Sequence, residues 1–126
     1  MLVFGHRGAC GYLPENTIES MELAFELGAD AVEFDVVFTK DGHGVIRHDI
    51  DLASTTDISD HSFLSSRVDQ LNLEDVIRLR AKERYPDGRA ESAANDGKFF
   101  VPTLVQVLRN PNFDNRHLII EIKSGD

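Results

Sequence analysis

Two carboxylates stand inside an apolar run: Ala31 to Phe38 reads AVEFDVVF, with Glu33 and Asp35 two residues apart. Side chains at i and i+2 of a strand share a face. The run therefore predicts a β-strand with Val32, Phe34 and Val36 on one face and Glu33 and Asp35 on the other. Leu118 to Lys123 (LIIEIK) reads as a second, buried strand whose Glu121 and Lys123 project together. A carboxylate buried against apolar neighbours costs several kcal/mol unless something compensates its charge. One lysine and one arginine nearby compensate in part, whereas a divalent cation does so fully. An all-carboxylate oxygen set favours a hard ion such as Mg2+, Ca2+ or Mn2+. The absence of a Cys/His cluster counts against structural zinc. The bland alternative is an outward polar face on a half-exposed strand, and the acidic pair by itself is compatible with both.

Around these strands the chain alternates in character. Residues 2–5 are apolar and β-leaning and end at Gly5 and His6, before a loop containing Gly8, Gly11 and Pro14. Asn16 is the expected N-cap of a helix over 17–27, with Glu19 as capping-box partner. Ile18, Met21, Ala24 and Phe25 form its apolar face, Glu19, Glu22 and Glu26 its solvated face, and Gly28 its terminator. Asp41-Gly42 reads as a hairpin turn into Val45-Ile46-Arg47-His48. From about 51 to 97 polar residues dominate, interrupted by a helical pattern at 73–80 capped by Asn72, with an exposed loop expected at 84–98. Thr103, with Gln106 three residues on, predicts a short helix over 104–109. This order favours an α/β fold with parallel strands. The polar excursion reads as an insertion in a connection rather than as a second core domain.

Composition narrows the function classes. The 126 residues carry 13 Lys+Arg against 22 Asp+Glu, a net charge of −9. That balance disfavours non-specific binding to nucleic acid or anionic membranes. The length fits one domain at most, and a hydrophobic share of 41% suffices for a core. The lone Cys10 cannot form an internal disulfide and reads as a small loop residue. No apolar run approaches the roughly 18–20 residues of a membrane helix. The start, Met1 to Gly5, lacks the basic flank of a signal peptide, so a cytoplasmic location is expected.

The candidate chemical residues cluster at strand ends: His6 and Arg7 after the first apolar run, Glu33 and Asp35 in the second, His48 after Val45-Ile46, and Glu121 and Lys123 in the last. In a parallel α/β barrel the active site lies where strand C-termini meet their loops. Two histidines suit acid/base work near neutral pH. Arg7 and Lys123 suit an anionic group, most naturally phosphate. Together they describe metal-assisted phosphoryl transfer on a small-molecule substrate. His43, His61 and His117 lie in polar surroundings and keep an ordinary surface reading.

His6-Arg7-Gly8-Ala9, Pro14-Glu15-Asn16-Thr17, Glu33-x-Asp35-Val36, Thr39-Lys40-Asp41-Gly42, His48-Asp49 and Glu121-Ile122-Lys123 occur in this order. This set resembles the glycerophosphodiester phosphodiesterase family. The resemblance spans 3–58 almost continuously and resumes at about 101–123. It implies a (β/α)8 barrel, here its N-terminal part with about strands 1–3, and a family-type insertion at about 51–97. It also implies hydrolysis of glycerophosphodiesters to glycerol 3-phosphate and an alcohol, with a divalent metal. Carried over, His6 and His48 match the acid/base pair, Glu33, Asp35 and Glu121 the metal ligands, and Arg7 and Lys123 the phosphate-contacting cations. Glu15 and Asn16 match a motif at the site edge. The family-type mechanism has the substrate's own 2-hydroxyl attack phosphorus, with one histidine accepting its proton and the other protonating the leaving alkoxide. Water then opens the cyclic phosphate.

Val105-Gln106 departs from the acidic residues common at that place in the family. The larger departure is length: a barrel takes about 250 residues, so about five of its eight strands are not in this sequence. Two alternatives follow, a phospholipase of the phosphatidylinositol or sphingomyelinase D type, and a catalytically inert half-barrel.

Overall fold

The structure, a computed structural model, describes residues 2–123. Strand β1 (Phe4–His6) leads through a loop to helix α1 (Ile18–Glu26), then to strand β2 (Ala31–Phe38) and a hairpin into strand β3 (Gly44–Ile46). The long excursion holds two short helices, α2 (Leu73–Val76) and α3 (Ala90–Ala93), before α4 (Leu104–Leu108) and strand β4 (His117–Ile122). β2 is the hub of the sheet: β1 and β4 pair with it in parallel, and β3 pairs antiparallel with its C-terminal end. The fold is thus α/β with a mixed sheet.

The alternation in β2 divides the interior as the sequence predicts. Val32, Phe34 and Val36 pack against Met21, Ala24 and Phe25 of α1, with Ile46, Val107 and Phe113 completing this cluster. On the other face, beyond Glu33 and Asp35, Val37 enters a second cluster with Val45, Leu52, Ile58, Val68, Leu71, Val76, Leu79 and Val101. The excursion is therefore anchored by its own apolar residues on the hairpin. Its helix stops at Val76, short of the expected 80, because residues 79–81 are drawn into backbone pairing: the Val101 N–H donates to the Leu79 carbonyl and the Ala81 N–H to that of Phe99. The expected exposed loop at 84–98 contains α3, with Ser92 fully buried.

Two further expectations are corrected. Asn16 does not cap α1. The helix begins one residue later than the capping pattern required, so Thr17 is the N-cap, in a capping box with Ser20, and Asn16 adopts φ 56°. The last strand is not buried: Ile119 and Ile120 are each 41% exposed and Ile122 67%. Among the described residues β4 pairs only with β2, and its other edge has no strand partner. By contrast, Thr103 and Gln106 form the expected capping box of α4, and Gly28 ends α1 at φ 96°.

The turn after β1 depends on Gly8. It sits at φ 82°, and a Cβ there would lie 2.3 Å from Ser20 Oγ and 2.7 Å from the Ser20 carbonyl carbon. Gly8→Ala is therefore expected to lower stability by about 2–4 kcal/mol, from strain and overpacking together. Urea denaturation followed by circular dichroism, compared with a substitution at the unobstructed Gly11, checks this.

Candidate active site

Strand register builds the centre of the site. In the parallel β1–β2 pair His6 lies beside Glu33, and in the β2–β4 pair Asp35 lies beside Glu121. Since register partners share a face, four polar side chains from three strands converge. Glu33, Asp35 and Glu121 each bring a carboxylate oxygen to within 4.8 Å of the others. Asp35 is buried, whereas Glu121 is exposed and accepts a hydrogen bond from Lys123 Nζ at 2.8 Å. That bond, first among several influences, lowers the Glu121 pKa and raises that of Lys123. His6 Nε2 lies 3.5 Å from Glu33 Oε2, with its ring mostly open to solvent.

Burial first, and then Asp35 and Glu121 nearby, pushes Glu33 up to about 7, against the pull of a hydrogen bond from the Arg7 backbone N–H. Its Oε1 is buried without a hydrogen-bond partner. Three clustered carboxylates, one with an unsatisfied buried oxygen, fit a hard divalent cation: oxygen donors only, in excess negative charge. The donor set is the one the acidic strands implied.

Arg7 and Asn16 bind this cluster to the loop after β1, and both hold left-handed backbone, at φ 55° and φ 56°. Such strain in non-glycine residues persists where surrounding contacts enforce it. Arg7 Nη1 donates to Glu15 at 3.2 Å and its Nε lies 3.5 Å from Asp35. Asn16 Nδ2 donates to Asp35 Oδ2 at 3.2 Å, and Asn16 Oδ1 accepts from the Asp35 backbone N–H at 3.3 Å. The amide expected to cap a helix thus clamps the buried carboxylate at both ends.

His48 is tied to the loop after β1 through Asp49 and Arg84, to which the sequence assigned no role. Its Nδ1 is 2.6 Å from Asp49 Oδ1. Asp49 accepts at Oδ2 from Ser54 Oγ at 2.8 Å and from Arg84 Nη1 at 2.6 Å. Burial opposes the charge on Asp49, but hydrogen bonds from Arg84, His48 and Ser54 outweigh it and hold the carboxyl well below the usual carboxylate range. Arg84 also grips Glu15. Burial raises the Glu15 pKa, yet Arg84, Arg7 and Arg47 together bring it below its ordinary value. Arg47, 4% exposed, is pushed down to about 10 by burial and pins the loop by donating to the Asp49 and Asp51 carbonyls. The motif His48-Asp49 flagged Asp49 without a role, and nothing local flagged Arg84, which lies 69 residues from Glu15.

The model of the glycerophosphoryl diester phosphodiesterase family matches residues 6–126. The chain belongs to this family. It is 38% identical over 124 residues to a glycerophosphodiester phosphodiesterase of Caldanaerobacter subterraneus subsp. tengcongensis, covering 98% of this chain and 46% of that protein. Among solved structures, one from Silicibacter pomeroyi described as a glycerophosphoryl diester phosphodiesterase superposes with TM-score 0.81 at 32% identity, over 98% of this chain and 46% of that one. An Oleispira antarctica phosphodiesterase, solved in complex with the product sn-glycerol-3-phosphate, gives TM-score 0.74 at 29% identity, over 98% and 45%. The chain spans about half the length of the curated relatives it matches.

Glu33 in this family member makes stability depend on pH. The folded state holds the Glu33 proton at about 7, against an ordinary value of 4.5. The folded chain therefore binds this proton more tightly than the unfolded chain, and metal-free stability falls as pH rises through that window. In chelator, the wild-type melting temperature is expected to drop across it and the Glu33→Gln melting temperature to drop less. At about pH 8, added Mg2+ or Ca2+ is expected to raise the wild-type value saturably, by mass action on the folded state.

Proposed function

We propose that this protein hydrolyses glycerophosphodiesters to glycerol 3-phosphate and an alcohol, with Glu33, Asp35 and Glu121 holding a divalent cation and His6 and His48 transferring protons. The observation that carries the reading is the convergence of the three carboxylates, flanked by His6, Arg7 and Lys123, on one face of the sheet. The product complex of the Oleispira antarctica relative supports the substrate class. We also propose that β1, β2 and β4 are the first three strands of a (β/α)8 barrel, with 51–97 as the insertion between the second and third.

A cation at this cluster would neutralise charge on the phosphoryl oxygens. The chain's own residues do the rest. Arg7, held near Asp35, and Lys123, on the rim, orient the phosphate through charge-assisted hydrogen bonds. One histidine accepts the proton of the substrate's 2-hydroxyl as its oxygen bonds to phosphorus. The other donates a proton to the alkoxide as the bond from phosphorus to the head-group oxygen breaks. Water then opens the cyclic phosphate with the two roles reversed.

The test is hydrolysis of glycerophosphocholine by the purified protein with Mg2+ or Ca2+, with the release of glycerol 3-phosphate measured. His6→Ala and His48→Ala are each expected to lower kcat about 100- to 10,000-fold, and a chelator to abolish turnover. No hydrolysis with Mg2+, Ca2+ or Mn2+ overturns the reading. Preferential cleavage of membrane phospholipids favours the phospholipase alternative.

A further inference from the structure

The polar excursion contributes one guanidinium to the site. Arg84, whose side chain is 16% exposed, donates from Nε to Glu15 Oε1 at 3.0 Å, from Nη2 to Glu15 Oε2 at 3.2 Å and from Nη1 to Asp49 Oδ2 at 2.6 Å. Each of its partners leads to a different part of the site. Glu15, 4% exposed at its side chain, also accepts from Arg7, whose Nε lies beside Asp35. Asp49 contacts His48 Nδ1 at 2.6 Å through its other oxygen. A single planar fork therefore joins the arm carrying Arg7 to the arm carrying His48. Its bidentate grip on Glu15 leaves the third nitrogen aimed at Asp49, a geometry that a lysine ammonium does not reproduce.

The contact between Asp49 and His48 has a chemical consequence. An ionised carboxylate accepts hydrogen bonds and donates none. The His48 nitrogen facing it must then carry the hydrogen, which leaves Nε2 as the basic nitrogen of the ring. Ser54 and Arg84 both bond to Oδ2, which turns Oδ1 toward the imidazole.

We propose that Arg84 is a positioning residue: by clamping Asp49 to Glu15 it holds the His48 imidazole in the Nδ1–H tautomer, with Nε2 as the nitrogen that exchanges protons with substrate. This rests on the proposed catalytic role of His48. It assigns to the 51–97 insertion a part in organising the chemistry, in addition to any part in covering it.

The experiment is nitrogen-15 NMR of the His48 ring in the purified protein at a pH where the ring is neutral, for wild type, Arg84→Met, Arg84→Lys and Asp49→Asn, with kinetics on glycerophosphocholine in parallel. Wild type is expected to show His48 in one tautomer, hydrogen on Nδ1. All three variants are expected to shift toward a mixture, Asp49→Asn most, since an amide can donate to Nδ1. Arg84→Met is expected to lower kcat about 10- to 100-fold, the usual cost of losing an orienting partner, with KM changed less than twofold. Arg84→Lys is expected not to restore it. Adding Arg84→Met to Asp49→Asn should cost far less than Arg84→Met alone, because both act through one contact. Arg84→Met or Arg84→Lys protein that melts cooperatively yet keeps the wild-type tautomer overturns the proposal, as does full activity in Arg84→Lys. Absence of hydrolysis in wild type overturns the proposed function instead, and the tautomer measurement still decides the role of Arg84.

Discussion

The concentration of negative charge on one face of β2 is the constraint around which the rest is arranged. Glu33 and Asp35 cannot both be buried beside Glu121 without compensation, and each neighbouring element supplies some. The loop after β1 supplies Arg7 and the Asn16 clamp, β4 supplies Lys123, and the Arg7 backbone adds an N–H to Glu33. Burial and the neighbouring carboxylates hold the Glu33 pKa up, and its Oε1 has no hydrogen-bond partner, so the compensation is incomplete. A protein that sought only stability would place apolar residues there, and the residual repulsion supports the cation site we propose.

The same logic explains the backbone strain. Among the described residues, two of the three non-glycine residues at positive φ, Arg7 and Asn16, are those whose side chains reach Asp35. Gly8 between them allows the chain to turn against Ser20 so closely that no side chain fits. The capping box of Thr17 and Ser20 fixes where α1 begins, which in turn fixes Asn16 outside the helix, facing the strand. A helix start, a strained loop and a charged site are thus one structural unit.

Legibility in the sequence followed the range of the forces involved. Period-two alternation in AVEFDVVF marked both faces of β2, and the Thr103–Gln106 box and the Asp41-Gly42 turn were read where they occur, because these depend on neighbours within four residues. The misreadings concern competition between local signals and distant partners. Asn16 has the chemistry of a cap but is claimed by Asp35, 19 residues on. Residues 79 and 80 continue a helical pattern but are claimed by pairing with 99–101. LIIEIK has the composition of a buried strand, and among the described residues β4 has a strand partner on one side and exposed isoleucines.

What the sequence by itself determined is the inventory and its local parity: which strands carry carboxylates, that Glu33 and Asp35 share a face, and that histidines and cations stand at strand ends. Side-chain alternation and turn preference are short-range properties, so they survive without any tertiary information. Only the tertiary structure decided the register that sets Asp35 beside Glu121 and His6 beside Glu33, and the route by which Arg84 joins Glu15 to Asp49. Those pairings bring together residues far apart in the chain, which no local preference can specify.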